Sequence, residues 1–223
     1  MTIENKSQFI EYFSKGIKSP SNLKIGVEQE KFLFEGKNKK RIDSTKLEKI
    51  FKNLEKNKWE PIKEKNNIIG LKKEKKQITT EPGLQCELSG EPLDNIHQVC
   101  SESSSYQREI KEASKDLDIS TASIGFDPYN ELENIPSSSK ERYKIMTEEM
   151  PKGGELSLDM MYRTCGIQIN FDYTSEKNFE QIFRIGNYLA PLTIAIFANS
   201  PFKDKKLSGY ISYRNKVWQK TSR

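Results

Sequence analysis

The sequence predicts an α+β fold. Amphipathic helices and half-buried strands follow one another without the regular strand–helix–strand alternation of a doubly wound sheet. Two segments, Leu23–Phe34 and Gly166–Tyr173, alternate apolar and polar residues as strands do. Others, such as residues 44–57, repeat apolar residues at helical spacing.

Taken in order, residues 1–20 read as a helix carrying Phe9, Ile10, Phe13 and Ile17, ended by Pro20. In Leu23–Phe34, Leu23, Ile25 and Val27 face one way and Lys24, Gly26, Glu28 and Glu30 the other. Residues 44–57 form an amphipathic helix through Leu47, Ile50, Phe51 and Leu54, with Asp43 or Ser44 as N-cap. Strands follow at Asn67–Lys72 and Gln77–Leu88. Pro92 suits the first turn of a long helix, with Leu93, Ile96, Cys100, Ile110, Ala113 and Leu117 on one stripe. Ser120–Asp127 reads as a short strand, Glu141–Met150 as a helix, and residues 155–164 as helical. In Gly166–Tyr173, Ile167, Ile169 and Phe171 oppose Gln168, Asn170 and Asp172. Glu176–Ala198 is helical and broken at Pro191, and the last 20 residues open a further element. No internal repeat is visible.

Composition excludes several classes. The apolar run Tyr188–Ala198 contains Pro191 and Thr193 and is too short for the ~20 residues of a spanning helix. The first residues show no apolar signal region, and the expected location is the cytoplasm. Three cysteines, Cys86, Cys100 and Cys165, make no disulfide scaffold, and a single His97 builds no zinc site. Residues 1–76 hold 20 Lys and Arg against 11 Asp and Glu, so the net charge of +5 is concentrated there. Those cations are mostly lysines diluted by Asn and Glu, without an arginine cluster or aromatic platform, so a solvated surface outweighs a nucleic-acid interface.

Three strands present polar residues on what should be one face: Glu28 and Glu30, then Glu87 opposite in sense to Cys86 and Leu88, then Gln168 and Asn170. Such a face is ordinary if it meets water. If it closes on a cavity, the carboxylates need a neutralising ion, and oxygen ligands suit Mg²⁺ or Mn²⁺.

Ile25 to Phe32 resembles the Gly-x-Glu-x-Glu-Lys-Phe strand of glutamate–cysteine ligases of the plant and alphaproteobacterial type. The likeness continues in order through Glu81–Gly90, Leu93–Cys100, Ile124–Pro128, Arg142–Met146, Leu158–Cys165, Gln168–Asn170, Phe197–Phe202 and Arg214–Trp218. It covers about residues 24–220. The resemblance implies ATP-dependent joining of the γ-carboxylate of glutamate to cysteine through a γ-glutamyl phosphate, the first step of glutathione synthesis. It implies a glutamine-synthetase-like fold, a curved and mainly antiparallel sheet with helices on its outer face. It also implies Mg²⁺ held by Glu28, Glu30 and Glu87, with Gln168 and Asn170 completing the polar face. Arg163 and Arg214 would clamp substrate carboxylates and act catalytically, with Gln85 and Met161 as pocket walls. Cys100, which matches a disulfide-forming cysteine of the family, would be a reduced thiol.

The expected domain is residues 1–223 as a single incomplete catalytic portion of a longer ligase fold, with residues 1–20 as its N-terminal helix. The family pattern continues past this sequence, so a complementary C-terminal chain or a homo-oligomer is the expected partner, and membrane is not. An alternative is a non-catalytic or split-subunit remnant that binds without turning over. One departure stands out: Leu84 occupies the second glycine of the family's Glu-Pro-Gly-Gly-Gln.

Overall fold

The computed structural model describes residues 3–221. Its elements in chain order are helix α1 (Lys6–Ser14), strand β1 (Ile25–Glu35), β2 (Lys40–Arg41), α2 (Ser44–Glu55), β3 (Glu60–Glu64), β4 (Asn67–Lys73), β5 (Lys76–Thr80), β6 (Cys86–Ser89), α3 (Ile96–Ser114), β7 (Ile119–Ala122), α4 (Glu141–Glu149), α5 (Ser157–Arg163), β8 (Ile167–Phe171), α6 (Glu176–Ile196), β9 (Phe202–Lys203), β10 (Lys206–Leu207) and α7 (Tyr213–Trp218). Eight strands make one sheet in the order β2-β1-β6-β5-β4-β3, with β7 and β8 also paired to β1, and every strand pair is antiparallel. Strands β9 and β10 form a separate hairpin. The architecture is α+β, as the sequence predicts.

The main core lies on one face of this sheet. Leu47, Ile50, Phe51 and Leu54 of α2 and Tyr106, Ile110 and Ala113 of α3 pack on Leu33, Leu71, Ile78, Cys86 and Leu88. Helix α2 is positioned by Asp43, whose side chain accepts from the Lys46 amide, so the N-cap is Asp43 rather than Ser44. Burying these side chains is the main favourable term, about 2 kcal/mol for each large residue fully removed from water.

Several elements differ from the sequence reading. Helix α1 ends at Ser14, well short of residue 20; Met1 and Thr2 lie outside the described residues. Helix α3 starts at Ile96, not Pro92, because Asn95 caps it by accepting from the amides of His97 and Gln98. Leu93 instead exchanges backbone hydrogen bonds with Ile25 at 2.8 and 2.9 Å. The buried stripe of α3 accordingly runs through Val99, Tyr106, Ile110 and Ala113, leaving Ile96 and Cys100 exposed. The expected strand 77–88 is two strands separated by a turn. Pro82 and Gly83 interrupt the ladder, and the turn closes with Leu84 N–H to Glu81 O and Glu81 N–H to Gln85 O, both 2.9 Å. Strand β7 is shorter than expected at its C-terminal end, and β3, which the sequence reading omits, pairs with β4. Pro191 does not break α6, which runs through it. The proline removes one N–H from the ladder, and the turns on either side carry the helix past it.

Candidate functional site

The site begins with period-2 geometry. On β1, Gly26, Glu28 and Glu30 leave one face and Val27, Gln29 and Lys31 the other. Antiparallel register then fixes their neighbours. Glu28 lies opposite Ser89 of β6 and Gln168 of β8, Glu30 lies opposite Glu87, and Gly26 lies opposite Asn170. The five polar residues that the sequence singles out on three strands therefore share one side of the sheet, away from the α2–α3 core. Side-chain bonds knit them together. Gln168 Nε2 donates to Glu28 Oε1 at 3.0 Å, Asn170 Nδ2 donates to the same oxygen at 2.9 Å, and Ser89 Oγ donates to Glu87 Oε1 at 2.8 Å.

This face floors a hollow of about 450 Å³ lined by Glu28, Glu30, Glu81, Gln85, Glu87 and Gln168, with Arg214 and Trp218 on one side and Met146, Met160 and Met161 forming an apolar wall. Glu81 is the fourth carboxylate, and it comes from the turn before β6 rather than from a strand. Burial, reinforced by the negative charge of Glu81, pushes the Glu30 carboxyl up to about 7, although its Oε2 accepts from the Gly166 amide at 2.6 Å. Burial likewise raises Glu87; the Ser89 hydrogen bond opposes this, while the charges of Glu81 and Glu28 add to it. Arg214 faces Glu30. Burial lowers its pKa while Glu30 opposes the shift. Its guanidinium stacks 5.2 Å from the Trp218 ring, its Nε has no partner, and a Cβ on Gly166 would lie 2.8 Å from its Nη2.

The turn that delivers Glu81 is held from below. A Cβ on Gly83 would lie 2.6 Å from the Tyr162 carbonyl, so only glycine lets the turn approach α5 this closely. Leu84 has φ +60°, which accounts for a glycine at this place in the resemblance, and its buried side chain packs into the core. Gln85 is a brace as well as a wall: its Nε2 donates to the Met161 and Thr164 carbonyls, each at 3.0 Å, while its buried Oε1 has no partner. The fully buried Arg41 donates to the Tyr162 carbonyl at 3.2 Å, to the Gly83 carbonyl, and to Asp127 Oδ2 at 3.3 Å. Tyr143 of α4 directs its hydroxyl at Glu81 Oε1, 3.2 Å away, and at the Thr80 carbonyl, 3.1 Å away, and receives a 2.6 Å bond from Arg142.

Two expected site residues do not line the hollow: Asn170 shares its face and bonds to Glu28 but lies outside the lining, and Arg163 lies elsewhere. Arg163, only 3% exposed, does not line the hollow. It pairs with Asp159 at 3.0 Å and Asp204 at 2.6 Å and lies over the Phe126 ring. Those two carboxylates and the Asp127 carbonyl take up its guanidinium. Conversely, sequence reasoning missed Glu81, Arg41, Asp127, Tyr143 and Trp218 as site-building residues. Glu81 carried a local signal, standing immediately before the Pro-Gly turn; Asp127, Tyr143 and Trp218 carried only their place in the family-like segments, and Arg41 carried none.

The donor set around the hollow consists of carboxylate and amide oxygens, the chemistry that a hard divalent cation takes. Among the described residues no three His, Cys, Asp or Glu side chains converge tightly enough to close a metal shell as they stand. Part of the reason is visible, since the Glu28 carboxylate is occupied by the two amide donors of β8.

Residues 24–223 match the family model for glutamate–cysteine ligase family 2. The chain belongs to that family. Among curated ligases, glutamate–cysteine ligase A, chloroplastic, of Oryza sativa subsp. japonica is 44% identical over 217 residues, covering 97% of this chain and 44% of the rice protein. The chloroplastic enzyme of Medicago truncatula is 41% identical over 219 residues, covering 98% of this chain and 43% of its own length, and that of Arabidopsis thaliana is 40% identical over the same number. The chain thus spans less than half the length of these family 2 ligases. Their names place them in chloroplasts, so they lend no support to a cytoplasmic location. No helix among the described residues is long and apolar enough to cross a membrane.

Proposed function

We propose that this chain is the metal- and glutamate-binding portion of an ATP-dependent glutamate–cysteine ligase. The observation that carries the reading is the register that places Glu28, Glu30 and Glu87 on one sheet face with Arg214 alongside. Glu28, Glu30 and Glu87 would hold Mg²⁺ or Mn²⁺, with Gln168 and Asn170 completing the polar face through the amide N–H groups they give to Glu28. Glu81 joins this set. Bound there, the cation supplies charge neutralisation for the phosphate oxygens of ATP.

The remaining roles belong to side chains of the chain itself. Arg214 offers a planar fork to a substrate carboxylate, the geometry that lysine lacks. The assignment of the clamp falls to Arg214 and not to Arg163, whose fork is spent on Asp159 and Asp204. Met146, Met160 and Met161 limit water around an acyl phosphate, whose hydrolysis would compete with attack by the cysteine amine. Gln85 and Tyr143 fix the turn that carries Glu81. The curved, glutamine-synthetase-like character of the sheet is part of this reading. A reducing compartment suits the three unpaired cysteines, and the cytoplasm is one such compartment.

Calorimetric titration with Mg²⁺ tests the site. Glu28→Gln and Glu87→Gln should each weaken binding at least tenfold, and parent-like binding by both would remove the assignment. Cysteine-dependent ADP release by the chain, alone and with a complementing C-terminal polypeptide, separates an active ligase from a non-catalytic remnant.

A further inference from the structure

Arg163 is shut from water yet has no place in the hollow, so its use lies in what it joins. From the last turn of α5, its Nη1 donates to Asp159 Oδ1 in the same helix at 3.0 Å. Its Nη2 donates to Asp204 Oδ1 in the tip of the β9–β10 hairpin at 2.6 Å. That tip is strained. Asp204 and Lys205 have φ of +49° and +63°, a region that a lysine rarely occupies, so the turn needs anchors. Arg163 is one, and the Pro128 carbonyl, which accepts from the Lys205 amide at 2.7 Å, is the other.

Two routes lead from this guanidinium to Arg214. Through rings, Arg163 lies 4.5 Å over Phe126, and Phe126 meets Tyr213 edge-on at 4.9 Å. Through the hairpin, Lys203, the neighbour of Asp204, sits 5.3 Å from the centroid of that same Tyr213 ring. Tyr213 opens α7 and directly precedes Arg214. Buried Ser200, just before the hairpin, closes the path. Its carbonyl accepts from the Tyr213 amide at 2.9 Å, and its Oγ accepts from the Arg214 amide at 3.2 Å. Arg214 has little latitude beyond this. A Cβ on Gly125 would lie 3.2 Å from its Cδ, and one on Gly166 would lie 2.8 Å from its Nη2, so its side chain runs in a slot between two glycines. We propose that Arg163 is a positioning residue for Arg214, bridging α5 to the hairpin so that α7 aims the Arg214 fork into the hollow. Desolvation offsets much of what a buried ion pair gains, so the bridge is better understood by the geometry it fixes. This inference rests on Arg214 being the carboxylate clamp.

Asp204 is the partner to change, since it is partly exposed and lies outside the hollow. In calorimetric titration with glutamate, Asp204→Asn should weaken binding about tenfold by misplacing the fork. Mg²⁺ affinity should stay at the parent value, because Glu28, Glu30, Glu81 and Glu87 arrive on other elements. Asp204→Glu keeps the ion pair and should restore glutamate binding. Arg163→Lys combined with Asp204→Asn should cost no more than Arg163→Lys alone, as both break one bridge. A readout without any ligand is hydrogen exchange, which should quicken at Tyr213–Trp218 in Asp204→Asn and stay unchanged in the α2–α3 core. Parent-like glutamate binding together with parent-like α7 exchange would overturn the inference. So would an equal loss of Mg²⁺ and glutamate binding, since Arg163 would then serve the scaffold at large. If the parent chain binds no glutamate, the clamp reading itself fails; α7 exchange then decides whether Arg163 holds Arg214, and an unchanged rate ends the proposal.

Discussion

At the scale of single residues, Glu30 sets the electrostatic character of the site. Its carboxyl is raised to about 7 by burial first and by Glu81 second. The folded state therefore binds this proton more tightly than the unfolded chain, so the Glu30 contribution to stability falls as pH rises from ~4.5 to ~7. The cost at higher pH is on the order of 3 kcal/mol. In urea melts, the Glu30→Gln variant should lose less stability than the parent across that window, and identical slopes would show that Glu30 titrates normally. A divalent cation competes with the same proton, so Mg²⁺ affinity should strengthen with pH through 7.

Arg41 and Asp127 form a pair almost wholly shut from water. Removing one partner strands the other charge, at a cost of about 3–5 kcal/mol. Asp127→Asn keeps the shape but removes the charge, and thermal unfolding should show a loss well beyond that of an exposed pair such as Lys65–Glu141. For Tyr143→Phe the expected loss is about 1–2 kcal/mol, because the one hydroxyl proton shared between the Thr80 carbonyl and Glu81 is gone and Arg142 loses its acceptor. The same variant should also weaken Mg²⁺ binding, a readout that a purely structural tyrosine would leave unchanged.

At the scale of elements, the Glu81–Gln85 turn shows two effects in opposition at one position. Leu84 carries φ +60°, a strain worth about 1–2 kcal/mol for a non-glycine residue. Its side chain is also buried in the main core, and deleting such a side chain costs about 2–5 kcal/mol. Packing exceeds strain, so Leu84→Gly should lower the unfolding midpoint, and a rise would mean that the backbone strain dominates. Gly83→Ala has no such compensation, since its Cβ would meet the Tyr162 carbonyl at 2.6 Å. That variant should displace Glu81 and lower both stability and metal affinity.

At the scale of the whole molecule, the two sides of the sheet are finished to different degrees. The α2–α3 side is closed, while the β8–α6 region is apolar and open. The 223-residue chain by itself should therefore bind a fluorescent apolar dye in its folded state and associate more readily as salt is added. Weak dye binding by natively folded chain would mean that α6 has found cover within the chain itself.

The sequence by itself determined which residues share a face. Side-chain period is a local property of a strand, so Glu28 with Glu30, Glu87 against Cys86, and Gln168 with Asn170 were all legible in the sequence, as was α2, whose cap the sequence left between Asp43 and Ser44. Only the tertiary structure decided which strands lie side by side, and with that the meeting of Glu30 with Glu87 and of Glu28 with Gln168. It also decided that Glu81 joins them from a turn, that Arg214 faces the hollow while Arg163 turns to Asp159 and Asp204, and that Arg41 pairs with Asp127 across 86 positions. These are contacts between residues far apart in the chain, and no local pattern of polarity records the partner that a distant segment will bring.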